Sequence, residues 1–237
     1  MSQWTILCDF DGTISVEDIT DSLLERFGRP GWQALEQAWK RGEIGSRDCM
    51  AQQVELLEAA DGELDAHLDS MLIDRAFPQF VAATREAGVP LTVLSDGLDY
   101  AIRSILARYA LDWLPVTSNR LEPHGERAWR LSFPNASAVC RGASGTCKCA
   151  RADACRGGRK RVLLVGDGAS DFCVAEAADF VFAKGKLIAH CVARDIPHAA
   201  IVGFSDALAL LPDLIAGTLD ARPAAAAAAM LAGAALA

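Results

Sequence analysis

A short apolar run that ends in two acids is the feature that most constrains the fold of this chain. Residues 4–8, WTILC, are typical of a strand buried on both faces, and residues 9–13, DFDGT, follow at once. Ligands bind at the carboxyl ends of strands in open α/β sheets, and a turn at Gly12 can bring both carboxylates into one pocket. Two solvated acids at a strand end are the alternative interpretation of so short a motif.

Two other buried strands are predicted to end in polar turns that contain glycine. Residues 89–94 precede the turn of Ser95, Asp96 and Gly97, and residues 161–165 precede the turn GDGASD. Helical patterns and shorter strand patterns alternate with them, at 77–87, 100–109, 114–121, 128–133, 172–178, 179–183 and 199–211. The alternation predicts a doubly wound, Rossmann-like α/β core whose polar turns meet at one edge of the sheet.

The segment that follows the first strand has a different character. Residues 15–75 carry apolar residues at helical spacing and no strand signal, and Ser46 is predicted to be the N-cap of a helix. We therefore expect a small all-helical domain, residues 15–75, inserted into an α/β core made of residues 1–14 and 76–217. Residues 218–237 are rich in alanine and are predicted to form a low-complexity tail.

Composition limits the class of partner and the compartment. The formal charge of −8 and the pI near 5.0 argue against a nucleic acid or an anionic membrane as the main partner. No leader pattern precedes the first strand, and no long uncharged apolar run occurs before the tail. We therefore expect a cytoplasmic protein with reduced thiols, whose oligomeric state the sequence does not predict.

Four of the eight cysteines lie close together between residues 139 and 159. Cys140, Cys147, Cys149 and Cys155 could bind Zn²⁺ as thiolates, but the C-x-C pair lacks the common C-x2-C spacing. A reduced or partly oxidised loop is the favoured interpretation, and zinc is the alternative.

The three polar turns, DFDGT, SDG and GDGASD in this order, resemble the motifs of the haloacid dehalogenase superfamily of aspartate-nucleophile phosphohydrolases. The resemblance implies that Asp9 is a nucleophile that forms an aspartyl-phosphate, and that Asp11 is the general acid and base. It also implies a Mg²⁺ site formed by Asp9, by the backbone carbonyl of Asp11 and by Asp167. Asp171 would orient the metal shell or the basic residue of the site.

The same resemblance assigns the phosphate contacts. Ser95 and the backbone amide of Gly97 match groups that bind the phosphoryl oxygens, although turn capping alone is the alternative for a serine in such a place. Lys148 is chosen as the phosphate-binding cation because it lies a short helix and a strand before GDGASD. Asp18 matches a substrate-facing acid, and an N-cap on the first inserted helix is its alternative role.

The inserted helices resemble the C1 cap of the phosphoserine phosphatase-like branch of the superfamily. Within that branch, the DFDGTI start, the SDG turn and the cysteine-rich loop resemble the phosphatases that act on 2-hydroxy-3-keto-5-methylthiopentenyl-1-phosphate. We therefore predict a Mg²⁺-dependent phosphomonoesterase for a small phosphorylated metabolite. Phosphoserine, phosphocholine or phosphoethanolamine are alternative substrates, and a non-catalytic module that binds a phosphorylated ligand or a protein is the alternative from another class.

Overall fold

The computed structural model describes residues 3–219, and within them the chain folds around a seven-stranded sheet in the order β4-β3-β2-β1-β5-β6-β7. The strands are β1 Trp4–Cys8, β2 Leu91–Leu98, β3 Val116–Pro123, β4 Trp129–Ser132, β5 Arg161–Gly166, β6 Phe180–Ala183 and β7 His198–Ala200. Neighbouring strands are parallel except β3 and β4, which form an antiparallel pair. The sheet confirms the predicted α/β class.

The register of the central strands brings their carboxyl ends to one place. Cys8, the last residue of β1, lies opposite Val93 of β2 and Val165 of β5. The backbone N–H of Asp9 then donates to the carbonyl of Val165 at 2.9 Å, which fixes the first residue of the turn to the neighbouring strand. The polar turns that follow β1, β2 and β5 therefore share one edge of the sheet, where ligands bind in this class of fold.

Helices cover both faces of the sheet. After the inserted segment they are α5 Phe77–Glu86, α6 Asp99–Ala107, α7 Lys148–Gly157, α8 Phe172–Ala175, α9 Gly185–Ala193 and α10 Phe204–Ala216. Alternate residues of β1 point to opposite faces, so Ile6 and Cys8 belong to one apolar cluster and Leu7 to another. This two-faced core is the doubly wound arrangement that the sequence predicted.

Four helices lie between β1 and α5, and we call them the helical insert. They are α1 Ile19–Phe27, α2 Trp32–Lys40, α3 Ser46–Glu55 and α4 Asp61–Leu68. Leu23 of α1 and Leu64 and Leu68 of α4 are buried in the same apolar cluster as Phe77 of α5. The inner side of the insert therefore packs directly on the core, because its apolar stripe at helical spacing has no other partner.

Some local predictions from the sequence are wrong. β2 was expected to end at Leu94 but continues to Leu98, with an irregular register against β3 between these two residues. The second half of the expected cysteine-rich loop forms α7, and α9 was not predicted. Ser46 is not an N-cap: Gly45 occupies that position, and the Ser46 hydroxyl donates to Asp96 at 2.6 Å instead.

The predicted alanine-rich tail and the predicted absence of a membrane span can be compared only with residues 3–219. Of the predicted alanine-rich tail, residues 220–237 lie outside the described residues. Between residues 3 and 219, every helix is too short or too polar to cross a membrane.

Candidate active site

Asp9 lies at the centre of the polar edge of the sheet. It directly follows the middle strand, and only 4% of its surface is exposed. Its Oδ1 lies 2.7 Å from Nζ of Lys148. Burial raises the pKa of Asp9 well above its ordinary value and the charge of Asp171 raises it further, whereas the Lys148 ammonium lowers it. The carboxyl group is therefore poorly solvated, and the Lys148 ammonium beside it favours the ionised form that a nucleophile requires.

Lys148 joins two acids from different strand ends. Its Nζ lies 2.7 Å from Oδ1 of Asp9 and 2.7 Å from Oδ1 of Asp171, and it donates to Oγ of Ser170 at 3.3 Å. Burial alone would lower the pKa of Lys148, but Asp171 and Asp9 together raise it above its ordinary value. The lysine is the first residue of α7, so the helix start points its ammonium into the site.

Asp11, Ser95 and Gly97 form a second, tightly packed group. Oδ1 of Asp11 accepts from the N–H of Ile19 at 2.9 Å, and Oδ2 accepts from the Ser95 hydroxyl at 3.3 Å. The N–H of Gly97 donates to Ser95 Oγ at 2.8 Å. A Cβ on Gly97 would overlap Oδ2 of Asp11 and lie 3.0 Å from Ser95 Oγ, so any larger residue would displace the Asp11 carboxylate.

The environment of Asp11 favours a carboxyl group that changes charge near neutral pH. Burial raises its pKa to about 7, together with the charge of Asp18, while the hydrogen bonds from Ile19 and Ser95 partly oppose the rise. A group with such a pKa can both donate and accept a proton near pH 7.

Asp167 enters the site from the end of β5. Its Oδ1 accepts from the Thr13 hydroxyl at 3.0 Å, and its N–H donates to Oδ2 of Asp171 at 3.2 Å. Gly12 has a φ of +69°, and a Cβ there would lie 2.9 Å from Oδ2 of Asp167, so the turn needs glycine for both its conformation and its space. Burial and the charge of Asp171 raise the pKa of Asp167.

Three of these acids could hold a metal ion. Carboxylate oxygens of Asp9, Asp167 and Asp171 all lie within 4.8 Å of one another. An all-oxygen donor set of this kind suits Mg²⁺. The carboxylate of Asp171 is already bonded to Lys148 and to the N–H of Asp167, so it can orient the other two. The side chain of Asp11, in contrast, is engaged by Ile19 and Ser95.

A cavity of about 200 Å³ opens above these groups, and we call it the catalytic cavity. Core residues form its floor, and α1, α2 and α3 supply its outer wall. The residues of that wall are Asp18, Thr20, Asp21, Glu36, Trp39, Ser46, Cys49, Met50 and Gln53. The wall combines three acids with an apolar side, and no lysine or arginine is among the described residues that line the cavity.

Asp18 is the N-cap of α1, and its position also leaves its predicted role as a substrate-facing acid open. Its Oδ1 caps α1 by accepting from the N–H of Asp21 at 2.9 Å, and its side chain also lines the catalytic cavity. Burial raises the pKa of Asp18, and burial with the charges of Asp18 and Glu36 raises that of Asp21 to about 6.

Asp96 is a site residue that the sequence interpretation did not single out. It lies between Ser95 and Gly97, is 9% exposed and lines the catalytic cavity. Its carboxylate accepts hydrogen bonds from Ser46, Asn119 and Thr146. Its position in the SDG turn could have predicted this role from the sequence, because a carboxylate beside a buried strand end needs hydrogen-bond donors.

The structure brings together a different set of cysteines from the one weighed as zinc ligands. The thiol of Cys140 contacts that of Cys147, and the thiol of Cys149 contacts that of Cys173 rather than that of Cys155. The hydrogen bond from Cys149 lowers the pKa of Cys173 to about 6. Among residues 3–219, one group of three potential metal ligands lies within 4.8 Å, and all three are carboxylates. The eight cysteines are free thiols.

The structure thus gathers the residues that the sequence proposed. Seven of them meet at the ends of β1, β2 and β5 and at the start of α7: Asp9, Asp11, Ser95, Gly97, Lys148, Asp167 and Asp171. Asp18 lies across the catalytic cavity from them. Their catalytic roles stay predictions, because the geometry alone does not test them.

Comparisons with known proteins place the chain among its relatives. A family model described as haloacid dehalogenase-like hydrolase matches residues 6–176. The chain is 30% identical to 2-hydroxy-3-keto-5-methylthiopentenyl-1-phosphate phosphatase of Geobacillus thermodenitrificans, over 86% of this chain and 93% of that relative. It is 32% identical to the protein of the same name from Exiguobacterium sp., over 85% of this chain and 94% of that relative.

Solved structures share the fold. A haloacid dehalogenase family hydrolase of Salmonella enterica matches with a TM-score of 0.67 at 20% identity, over 85% of this chain and 68% of that one. A substrate-bound phosphoserine phosphatase matches with a TM-score of 0.66 at 15% identity, over 88% of this chain and 98% of that one. The family match and the named relatives confirm the predicted class of enzyme, a phosphoric monoester hydrolase, and the chain belongs to the haloacid dehalogenase-like hydrolases.

Proposed function

We propose that this enzyme hydrolyses the phosphate ester of a small cytoplasmic metabolite through an aspartyl-phosphate on Asp9. The observation that carries the proposal is the buried Asp9 carboxylate, which lies 2.7 Å from Lys148 at the end of the central strand. A nucleophile and a cation for the phosphoryl oxygens thus stand side by side in a site shielded from water.

The remaining side chains supply the other parts of the reaction. Asp9 attacks phosphorus as the ester oxygen leaves, and Asp11 gives that oxygen its proton. The Asp11 carboxylate then takes a proton from a water molecule, which attacks the aspartyl-phosphate and releases inorganic phosphate and free Asp9. Lys148, the Ser95 hydroxyl and the Gly97 amide would bind the phosphoryl oxygens as their charge changes.

Mg²⁺ is the metal that we propose for the acid cluster. Asp9 and Asp167 would bind it, with the backbone carbonyl of Asp11, while Asp171 holds Asp167 and Lys148 in place. A bound Mg²⁺ would neutralise charge on the phosphoryl oxygens. The fit rests on the donor set, three buried or half-buried carboxylates without a soft ligand.

The substrate that we propose first is 2-hydroxy-3-keto-5-methylthiopentenyl-1-phosphate, because relatives at about 30% identity carry that name. The outer wall of the catalytic cavity suits such a molecule. Asp21 and Glu36 can accept hydrogen bonds from hydroxyl groups, and Trp39 and Met50 offer an apolar surface to a methylthio group. The helical insert would close over the bound ester and exclude water.

The same wall argues against phosphoserine. A substrate carboxylate needs a cation or several donors, and the described residues that line the catalytic cavity include no lysine or arginine. Asp18 and Asp21 would instead repel it, and Glu36 is already paired with Lys40 at 3.1 Å. Phosphocholine or phosphoethanolamine is the second candidate, because the acids and the face of Trp39 also suit an ammonium group.

A substrate panel tests these proposals. Phosphate release is measured from the methylthiopentenyl ester, phosphoethanolamine, phosphocholine and phosphoserine, each with Mg²⁺ and with a chelator. We expect the highest kcat/KM for the methylthiopentenyl ester and the lowest for phosphoserine. A best rate with phosphoserine would refute the argument from the acidic wall.

Two variants separate the mechanism from the substrate. Asp9→Asn has nearly the same shape as the wild type but lacks the nucleophile, so we expect no turnover of any ester. Glu36→Gln changes only the outer wall and should alter the order of the substrates while leaving hydrolysis intact. Full activity in Asp9→Asn would refute the aspartyl-phosphate, and the absence of turnover from every ester, with phosphate still bound, would favour a binding module.

A further inference from the structure

Asp96 has a set of contacts that the proposed reaction does not use. Its Oδ2 accepts from the Ser46 hydroxyl at 2.6 Å. Its Oδ1 accepts from the Thr146 N–H at 2.8 Å and from Nδ2 of Asn119 at 3.1 Å. Its backbone carbonyl accepts from the same Asn119 nitrogen at 2.5 Å. Three segments of the chain therefore converge on one buried acid.

The network is closed, because each of its hydrogen-bond donors has an acceptor within the same group of residues. The Thr146 hydroxyl donates to Oδ1 of Asn119 at 3.1 Å, and Asn119 is fully buried. Hydrogen bonds to a carboxylate are stronger than those between neutral groups, and buried networks of this kind fix geometry when every member has a partner. Removing the carboxylate would leave several buried donors without an acceptor.

Each partner of Asp96 leads to a different part of the site. Asp96 itself separates Ser95 from Gly97, the two proposed phosphate contacts. Thr146 lies two residues before Lys148, so its N–H bond fixes the start of α7 relative to β2. Asn119 belongs to β3 and supports the irregular end of β2 from the neighbouring strand.

Ser46 extends the network to the helical insert. It is the first residue of α3, and next to it the N–H of Arg47 donates to the carbonyl of Ala143 at 3.0 Å. A Cβ on Gly45 would lie 2.8 Å from that of Ala143, so the backbones approach closely there. The start of α3 is thus attached both to Asp96 and to the loop before Lys148.

We propose that Asp96 is a positioning residue that couples the placement of α3 in the helical insert to the alignment of the phosphate-binding groups. Through Ser46 it holds α3 over the catalytic cavity, and through Thr146 it sets the position of Lys148 relative to Ser95 and Gly97. The inference rests on the proposed phosphatase function, and it assigns to Asp96 no direct contact with the substrate.

Four variants test the proposal. Ser46→Ala removes only the link to the insert, and we expect KM to rise about tenfold with little change in kcat, since one charge-assisted hydrogen bond is lost. Asp96→Ala removes all three links, and we expect kcat to fall about 100-fold, because small displacements of aligned groups cost that much. Asp96→Asn keeps the shape and two acceptor bonds and should recover most of the loss. Ser70→Ala is the matched control, because Ser70 bonds only within its own turn.

The readouts separate positioning from a purely structural role. Thermal midpoints, kcat, KM and inhibition by inorganic phosphate are measured for every variant. If the Ser46 and Asp96 variants have lower thermal midpoints but kcat and KM values within twofold of the wild type, the proposal is overturned. If Asp96→Ala does not fold, Ser46→Ala decides alone, and an unchanged KM in that variant overturns the proposal.

A wild type without turnover would refute the proposed function rather than this inference. Hydrogen exchange at the start of α3 would then decide whether Ser46→Ala loosens the insert. Unchanged exchange there would also overturn the proposal.

Discussion

Replacing Lys148 by methionine tests whether its ammonium group offsets the free-energy cost of burying Asp9 and Asp171 together. Lys148 is 4% exposed and holds Asp9 and Asp171, each at 2.7 Å. Methionine has a similar length and leaves two buried carboxylates facing each other without a cation. Breaking a buried ion pair by removing one partner typically costs about 3 to 5 kcal/mol, a large part of the roughly 5 to 15 kcal/mol that stabilises a protein.

The sign of the pH dependence follows from the raised pKa of Asp9. Without Lys148, the opposing influence on that pKa is gone, so Asp9 in the folded state holds its proton to higher pH than in the unfolded chain. The loss of stability in Lys148→Met is therefore complete at pH values above the pKa of Asp9 in the folded state. It becomes smaller as pH falls through that pKa, because Asp9 is then protonated and uncharged. At pH 8 we expect a thermal midpoint lower by roughly 6 to 20 °C, at about 2 to 4 °C for each kcal/mol in a chain of this size.

Urea unfolding and thermal unfolding, both followed by tryptophan fluorescence at pH 8 and pH 5, measure the loss of free energy, the shift of the thermal midpoint and their dependence on pH. Lys40→Met is the control, since Lys40 is half exposed, pairs with Glu36 at 3.1 Å and should contribute no more than about 1 kcal/mol. A loss below about 1 kcal/mol in Lys148→Met, or a larger loss at pH 5 than at pH 8, would refute the reasoning.

Three further predictions concern activity. The pKa of Asp11 is raised to about 7, so kcat of the wild type should fall as pH rises through that value, because the general acid loses its proton. Asp11→Asn should abolish this limb of the pH profile and lower kcat by about 10² to 10⁴-fold. Gly97→Ala should lower kcat about tenfold or more in steady-state assays, because the new methyl group overlaps Asp11, and an unchanged kcat would contradict the packing described. Chelation of divalent cations should stop phosphate release and added Mg²⁺ should restore it, with a higher Mg²⁺ concentration required in Asp167→Asn.

The sequence predicted the parts of the site that depend on strand ends. Each of the three turns directly follows a continuous apolar run, and parallel neighbours necessarily bring such turns to one edge. Lys148 could be chosen among several basic residues only through its spacing from the turn after β5, and the structure places its ammonium between Asp9 and Asp171. Local pattern and family resemblance were sufficient there.

The parts that the sequence did not predict depend on tertiary contacts. Ser46 has the composition of an N-cap, but its hydroxyl finds a stronger acceptor in Asp96, which is distant in sequence. β2 runs past its polar turn because β3 continues to pair with it, and Cys173 meets Cys149 only after α7 and α8 pack. No periodicity in the sequence encodes these pairings.

The division of the catalytic cavity between two parts of the chain bears on how its specificity can change. The groups proposed for chemistry lie at the carboxyl ends of β1, β2 and β5 and at the start of α7, whereas the outer wall comes from α1, α2 and α3. Substitutions in the wall can therefore accumulate without disturbing the reaction, as long as they spare Asp18 and Ser46, which act on Asp11 and Asp96, and the apolar side of the insert still packs on the core. Descendants of one ancestral phosphatase could in this way acquire different esters while the reacting groups stay fixed, which makes Asp21, Glu36 and Trp39 the first positions to vary when a new substrate is sought.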